Sequence, residues 1–168
     1  MSKFIQENRT ILLLALLIIV VVLLLVFRKK YEPEKDPYDL SKVKVITIEE
    51  AIPLFDDIEP HVYIIGRNGC TLCETLMPAV NETIDKYHIT VYYIDIQKED
   101  KSTPQYSIFQ YLLNYQYEYS GVKGRISEFL NHTPMIIISS NHDTIYGSIG
   151  SMTQEAFEII LKEYGIIR

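Results

Sequence analysis

Apolar positions along the chain follow three different rhythms, and each predicts a different kind of element. From Ile11 to Phe27 seventeen residues in succession are apolar, with no charge, Gly or Pro among them. At ~1.5 Å per helical residue they span roughly 25 Å, the short end of what crosses a bilayer. A core helix of a small domain would carry a polar face, and this block has none. It runs into Val26-Phe27-Arg28-Lys29-Lys30 without a small-residue cleavage site, so an uncleaved anchor is expected rather than a signal peptide.

Beyond the anchor, short β-branched runs alternate with stretches at helical spacing. Val43 to Ile46 predicts a strand, and Thr47 with Glu50 has the form of a capping box opening a short helix that meets Pro53. His61 to Gly66 (HVYIIG) reads as a buried strand, Thr71 to Lys86 as a helix, and Thr90 to Ile96 as a second buried strand. Thr103 with Pro104 marks the start of a further helical region within 97–131. Met135–Ser139 and Thr144–Ile149 are strands about a turn at Asn141-His142-Asp143, and Gln154–Tyr164 is a closing amphipathic helix stopped by Gly165. Strands alternating with helices, then a late hairpin, predict an α/β fold: a central mixed sheet flanked by helices, preceded by one transmembrane helix.

The organisation that follows is a short leader (1–10), an anchor (11–27), a charged linker (28–42) and one domain (43–168). The linker contains YEPEKDPYDLS, in which Pro33, Pro37 and like charges favour an extended stalk. From Tyr31 onward 11 Lys and Arg face 21 Asp and Glu, a formal charge of about −10, which argues against nucleic acid as a partner. Basic residues flank the anchor almost equally, with Lys3 and Arg9 before it and Arg28, Lys29 and Lys30 after it. The expected arrangement is a single-pass protein of the cell membrane with its C-terminal domain outside the cytoplasm, where disulfide chemistry is usual.

Two cysteines are too few for a disulfide framework, and their placement carries the chemistry. Cys70-Thr71-Leu72-Cys73 stands where a buried strand gives way, through Asn68-Gly69, to a helix. Unpaired N–H groups and the macrodipole at a helix N-terminus stabilise a thiolate there. Cys70, at the helix start, is the expected nucleophile, and Cys73, one turn in, the resolving thiol. Half of a zinc site has the same spacing, so the motif alone leaves metal binding open.

Further residues resemble the thioredoxin family. Pro78 falls five positions after Cys73, where thioredoxins carry the proline that kinks their active-site helix. PAVNETIDKYHITVYYIDIQ is similar to the family's helix and following strand. Thr133-Pro134 before Met135-Ile136-Ile137-Ile138 looks like the cis-proline loop, and MIIISSNHDTIYGSIGSMTQEAFEIILKEYG matches the strand, turn, strand, glycine and final helix. The resemblance covers Val43 to Arg168. It implies a thioredoxin-like fold, a reversible Cys70–Cys73 disulfide, and a Thr133–Pro134 loop that packs on the C-x-x-C and contacts substrate. It also implies that the segment at about 98–131 is an insertion, read here as helical. Anchored thioredoxin-like proteins that accompany bacteriocin export in Gram-positive bacteria are similar in layout.

The chain departs from the family at four places. Gly69 stands where thioredoxins have Trp, Ile64 where they have a buried acid, Thr71-Leu72 where Gly-Pro is common, and Glu74 where a basic residue is frequent. The function expected is a membrane-anchored thiol–disulfide oxidoreductase acting on protein or peptide thiol and disulfide substrates and served by a redox partner protein. No cofactor and no resident metal are expected. The alternatives are a redox-silent binding module accessory to peptide export, and a copper carrier using Cys70, Cys73 and His132. His61, His88 and His142 read as a strand start and two exposed turns. Tyr106, Tyr111, Tyr115, Tyr117 and Tyr119 read as packing residues before they read as a substrate surface. Arg67 is either a support for the thiolate or an exposed loop cation.

Overall fold

The computed structural model describes residue 11, residues 13–23 and residues 38–168 of the chain. The chain divides into two compact units, Met1–Lys35 and Asp36–Arg168. In the first, residues 11 and 13–23 are helical with exposed apolar side chains. Among the described residues no helix is long and apolar enough to cross a membrane. Of the expected anchor, residues 12 and 24–27 lie outside the described residues, as do the leader at 1–10 and the linker at 28–37.

The second unit is built on a five-stranded sheet in the order β1-β3-β2-β6-β7. β1 is Lys44–Val45, β2 His61–Gly66, β3 Val91–Asp95, β6 Met135–Ser140 and β7 Asp143–Ile149. β1 and β2 run parallel to β3, while β6 is antiparallel to both β2 and β7. The sheet is therefore mixed, because two crossovers pass through helices and the last connection is a tight hairpin. That hairpin turns through Asn141 and His142, both at positive φ (51° and 68°), the backbone geometry that matches strand twist.

Alternation along β2 divides the core in two. Tyr63 and Ile65 face one side with Phe55, Tyr92, Ile94, Phe109 and Ile137. Val62 and Ile64 face the other with Leu76, Met77, Val80, Tyr93, Ile136, Phe157 and Leu161. On the second side lie helices α2 (Thr71–Tyr87) and α4 (Gln154–Glu163). α2 buries Cys73, Leu76, Met77, Val80, Thr83 and Ile84, a stripe at helical spacing. On the first side lie α1 (Ile48–Ala51), which continues as a 3-10 turn over Ile52–Asp56, and α3 (Pro104–Leu112). α1 opens on the expected capping box: Glu50 N–H donates to Thr47 Oγ1 (3.2 Å) and Thr47 N–H to Glu50 Oε2 (2.8 Å).

Two expectations are corrected here. The insertion is only partly helical: after α3, residues Gln116–Tyr119 (β4) and Val122–Arg125 (β5) form a separate antiparallel hairpin, followed by a 3-10 turn at Ile126–Phe129. Ser120 and Gly121 supply its two-residue turn at positive φ (50° and 81°). Tyr117 and Tyr119 are thus half-buried on one face of a strand, with Gln116 and Glu118 exposed on the other. The insertion runs beside β7, the last strand of the sheet. Thr144 Oγ1 donates to the Leu112 carbonyl (2.8 Å), Asn114 Nδ2 to Asp143 (3.1 Å), and Ile149 N–H to the Tyr117 hydroxyl (3.2 Å). A strand edge otherwise open to pairing is covered in this way. Gly147 permits the approach, since a Cβ there would meet Ile126 Cδ1 and Tyr115 Cδ1.

The second correction concerns the linker, whose last residues belong to the domain. Tyr38–Lys42 lie along α2 as a strap. The Tyr38 hydroxyl donates to the Arg67 carbonyl (3.0 Å), Asn81 Nδ2 to the Asp39 carbonyl (3.0 Å), and Lys42 pairs with Asp85 (2.9 Å). Tyr38 and Leu40 pack against the α2 side of the core.

Candidate redox site

The cysteines lie beyond the carboxyl ends of the parallel strands β2 and β3, where α/β sheets characteristically place their sites. β2 ends at Gly66, and residues 67–69 carry the chain to the start of α2. Asn68 Oδ1 accepts from Gly69 N–H (2.8 Å), and Gly69 adopts φ 68°. Side chains larger than hydrogen disfavour that conformation, which accounts locally for a glycine in the position before Cys70.

Cys70 is the N-cap of α2, and it is joined to Cys73 by a disulfide. Cys73 N–H donates both to the Cys70 carbonyl (2.9 Å) and to Cys70 Sγ (3.1 Å). A sulfur that accepts a helix N-terminal N–H is stabilised as an anion when the disulfide opens. Cys70 keeps 5% of its surface and Cys73 none, so an incoming sulfur can reach only the first. Leu72, between them, is 48% exposed. One turn further, Pro78 removes the N–H that would bond the Glu74 carbonyl. There a groove of about 410 Å³ is lined by Tyr38, Asp39, Glu74, Met77, Pro78 and Asn81.

The Thr133–Pro134 bond is cis, and Gly150 N–H donates to the Pro134 carbonyl (2.8 Å). Met135, the first residue of β6, pairs with Ile65 near the end of β2. Register therefore brings the Thr133–Pro134 loop to the same end of the sheet as the cysteines. Pro134 is buried, and Thr133 Oγ1 is buried without a hydrogen-bond partner among the described residues.

Beneath the cysteine loop the structure shows a pair of phenols that sequence reasoning missed. Ile64 and Tyr93 are register partners in β2 and β3 and share the α2 face of the sheet. The Tyr93 ring leans along the strand over Gly66, where a Cβ would collide with its hydroxyl. That hydroxyl is hydrogen-bonded to the hydroxyl of Tyr38, which in turn holds the Arg67 carbonyl. One signal was available: a glycine ending a β-branched run often marks close approach of another group.

The other sequence candidates are dispersed. His61 opens β2 and bonds Asp57 (2.7 Å), His88 is the left-handed C-cap of α2, and His142 sits in the β6–β7 turn against Asp56 (2.9 Å). The His132 ring lies against that of Tyr119 at a tilt of 57°, with centroids 4.9 Å apart. Among the described residues no group of three or more His, Cys, Asp or Glu side chains is arranged to hold a metal. Arg67 is exposed, and its carbonyl rather than its side chain makes the contact described above. Tyr106 is buried, Tyr111 is exposed, and Tyr115, Tyr117 and Tyr119 pack between the insertion and its neighbours.

Solved structures with the same arrangement can now be set beside this chain. Thioredoxin f2 of Chlamydomonas reinhardtii superposes with a TM-score of 0.53 at 8% identity, over 75% of this chain and 99% of that one. Oxidised mitochondrial thioredoxin 3 of Saccharomyces cerevisiae gives 0.51 at 14% identity, over 73% and 96%. Plasmodium falciparum thioredoxin gives 0.50 at 13% identity, over 73% and 100%. The fold is thioredoxin-like. No protein-family model matches the chain, and no curated protein matches it in sequence. Likeness at such low identity establishes the fold alone, so the chemistry rests on the site.

Proposed function

We propose that this chain is a membrane-anchored thiol–disulfide oxidoreductase exchanging disulfides with protein or peptide substrates through Cys70 and Cys73. The observation that carries the reading is the Cys70–Cys73 disulfide at the N-terminus of α2, with Cys70 Sγ accepting the Cys73 N–H at 3.1 Å. In the reducing direction the Cys70 thiolate attacks a substrate disulfide. A Cys70–substrate S–S bond forms as the substrate bond breaks, and the departing thiolate takes a proton from water. Cys73, having given its proton to solvent, attacks Cys70 Sγ, closes the Cys70–Cys73 bond and releases the second substrate thiolate. Two electrons pass to the substrate, and a redox partner protein restores the dithiol. The reverse sequence would introduce disulfides.

The proposal includes the anchor at 11–27 and a C-terminal domain outside the cytoplasm. Its support is the apolar run and the compartment where such chemistry is usual. Thr133 and Pro134 are proposed to line the substrate side of the disulfide.

Trapping tests the chemistry. Cys73→Ser should accumulate mixed disulfides through Cys70 that a reducing agent releases, and Cys70→Ser should form none. Absence of any adduct in Cys73→Ser would leave the exchange reading without support. Resistance of the full chain to carbonate extraction from membranes is expected if residues 11–27 are an anchor, and release would remove that part.

A further inference from the structure

We propose that Tyr38, delivered by the strap at the start of the domain, is a positioning residue of the redox site. It would act by fixing the loop from which Cys70 enters α2. The inference rests on the reading of Cys70 as the attacking sulfur.

The loop of residues 67–69 has few holds of its own. Its Asn68–Gly69 bond is internal, and the Tyr38 hydroxyl ties the Arg67 carbonyl to a separate segment of chain. With the Tyr38 proton committed to that carbonyl, the Tyr93 hydroxyl donates to the Tyr38 oxygen, so the two phenols and the carbonyl form one directed chain. Two features of the fold converge to build it. Gly66 leaves room for the Tyr93 ring, and the Asn81–Asp39 and Lys42–Asp85 contacts hold the strap on α2. The consequence lies at Cys70. Its sulfur is stabilised by the Cys73 N–H only while the N-cap geometry holds (φ −94°, ψ 97°). Loosening the loop would misalign that donor and raise the thiolate's free energy. The charged or titratable side chains at this end of the fold are Arg67 of the loop, Glu74 of α2, Asp39 of the strap, His132 before the Thr133–Pro134 loop, and Asp95, the buried register partner of Gly66, which pairs with Lys98 (3.0 Å). The first four are exposed to screening water, and all of them remain unchanged in the variants below.

The test is the pH profile of Cys70 alkylation in the reduced full chain, mapped to Cys70 by mass spectrometry. Tyr38→Phe should shift the profile's midpoint upward and slow alkylation at pH 7 about fivefold, the equivalent of one ordinary hydrogen bond, with the high-pH plateau unchanged. Tyr93→Phe should move it the same way by less. Lys123→Ala, on the β4–β5 hairpin and away from the strap, should leave it in place. Tyr38→Phe and Tyr93→Phe profiles that overlie the wild type would overturn the proposal, as would an equal shift from Lys123→Ala. Should Tyr38→Phe fail to fold, an unshifted Tyr93→Phe profile overturns it alone. The failure of this inference is separable from failure of the exchange reading. Exchange with glutathione reports the second, whereas the alkylation midpoint reports the first whether or not exchange occurs.

Discussion

The insertion at 98–131 and the strap at 38–42 both add chain to the same five-stranded sheet, yet they do different work because of where they land. The insertion is long and seats buried Tyr106, Phe109, Leu113, Ile126 and Phe129 in one half of the core while covering β7. The strap is five residues held by a phenol, a backbone carbonyl, one surface ion pair and the partly buried side chains of Tyr38 and Leu40. Burial makes the insertion a source of stability, since each large apolar side chain contributes about 1.5–3 kcal/mol. A single exposed ion pair contributes about 0–1 kcal/mol, so the strap is a weak source. Its importance comes from reaching the loop ahead of Cys70. Length of added chain is therefore a poor guide to its influence on the chemistry, and proximity to the loop is a better one.

The largest effect is expected from Phe109→Ala. Phe109 is fully buried and meets Phe55 edge-on at 5.9 Å. Its loss should cost about 3–5 kcal/mol in denaturant unfolding, while the folded fraction exchanges thiols at the wild-type rate. A collapse of exchange in protein shown to be folded would break the distinction between the two segments. A smaller effect is expected from Gly147→Val, whose added atoms meet Ile126 and Tyr115. Overpacking of this kind costs about 1–3 kcal/mol, and hydrogen exchange should report it as opening of the β4–β5 hairpin with α2 still protected.

The smallest effect concerns how α2 is held on its other side. Lys86 hydrogen-bonds Glu158 across the α2–α4 contact, and with Tyr87 and Gln154 it holds that carboxyl below its ordinary value of 4.5, against the opposing effect of burial. A carboxylate depressed in the folded state stabilises the fold above its unfolded pKa. That stability is lost as pH falls through the lowered folded value. Glu158→Gln should therefore be less stable than wild type at pH 7, and the gap should close in acid below pH 4.5. A gap that stays constant across that range would assign the contact to shape rather than charge.

Much of the fold was legible because single periodicities dominate its elements. HVYIIG, the Cys73–Ile84 stripe and the last helix each carry one clear pattern, and their bounds in the structure differ from expectation by a residue or two. The β4–β5 hairpin was misread as helix because its tyrosines are close enough in sequence to imitate a helical face. The two-residue Ser120-Gly121 turn between alternating runs was the overlooked cue. The strap was read as solvated stalk because prolines and charges precede it, and its three holds are isolated contacts rather than a pattern. At the site, the cysteines and Pro134 were legible from spacing and family likeness. The Tyr38–Tyr93 pair was not, because the partners stand 55 positions apart and meet only once β3, Gly66 and the strap are in place.

The central claim is most directly tested by titrating the Cys70–Cys73 pair of the full chain against glutathione and reading its thiols by alkylation gel shift. The account predicts one reversible two-electron transition, at a potential between roughly −270 and −120 mV, the span of known thioredoxin-like exchangers. Thiols that stay reduced, or a disulfide that stays closed, at every glutathione poise would contradict it.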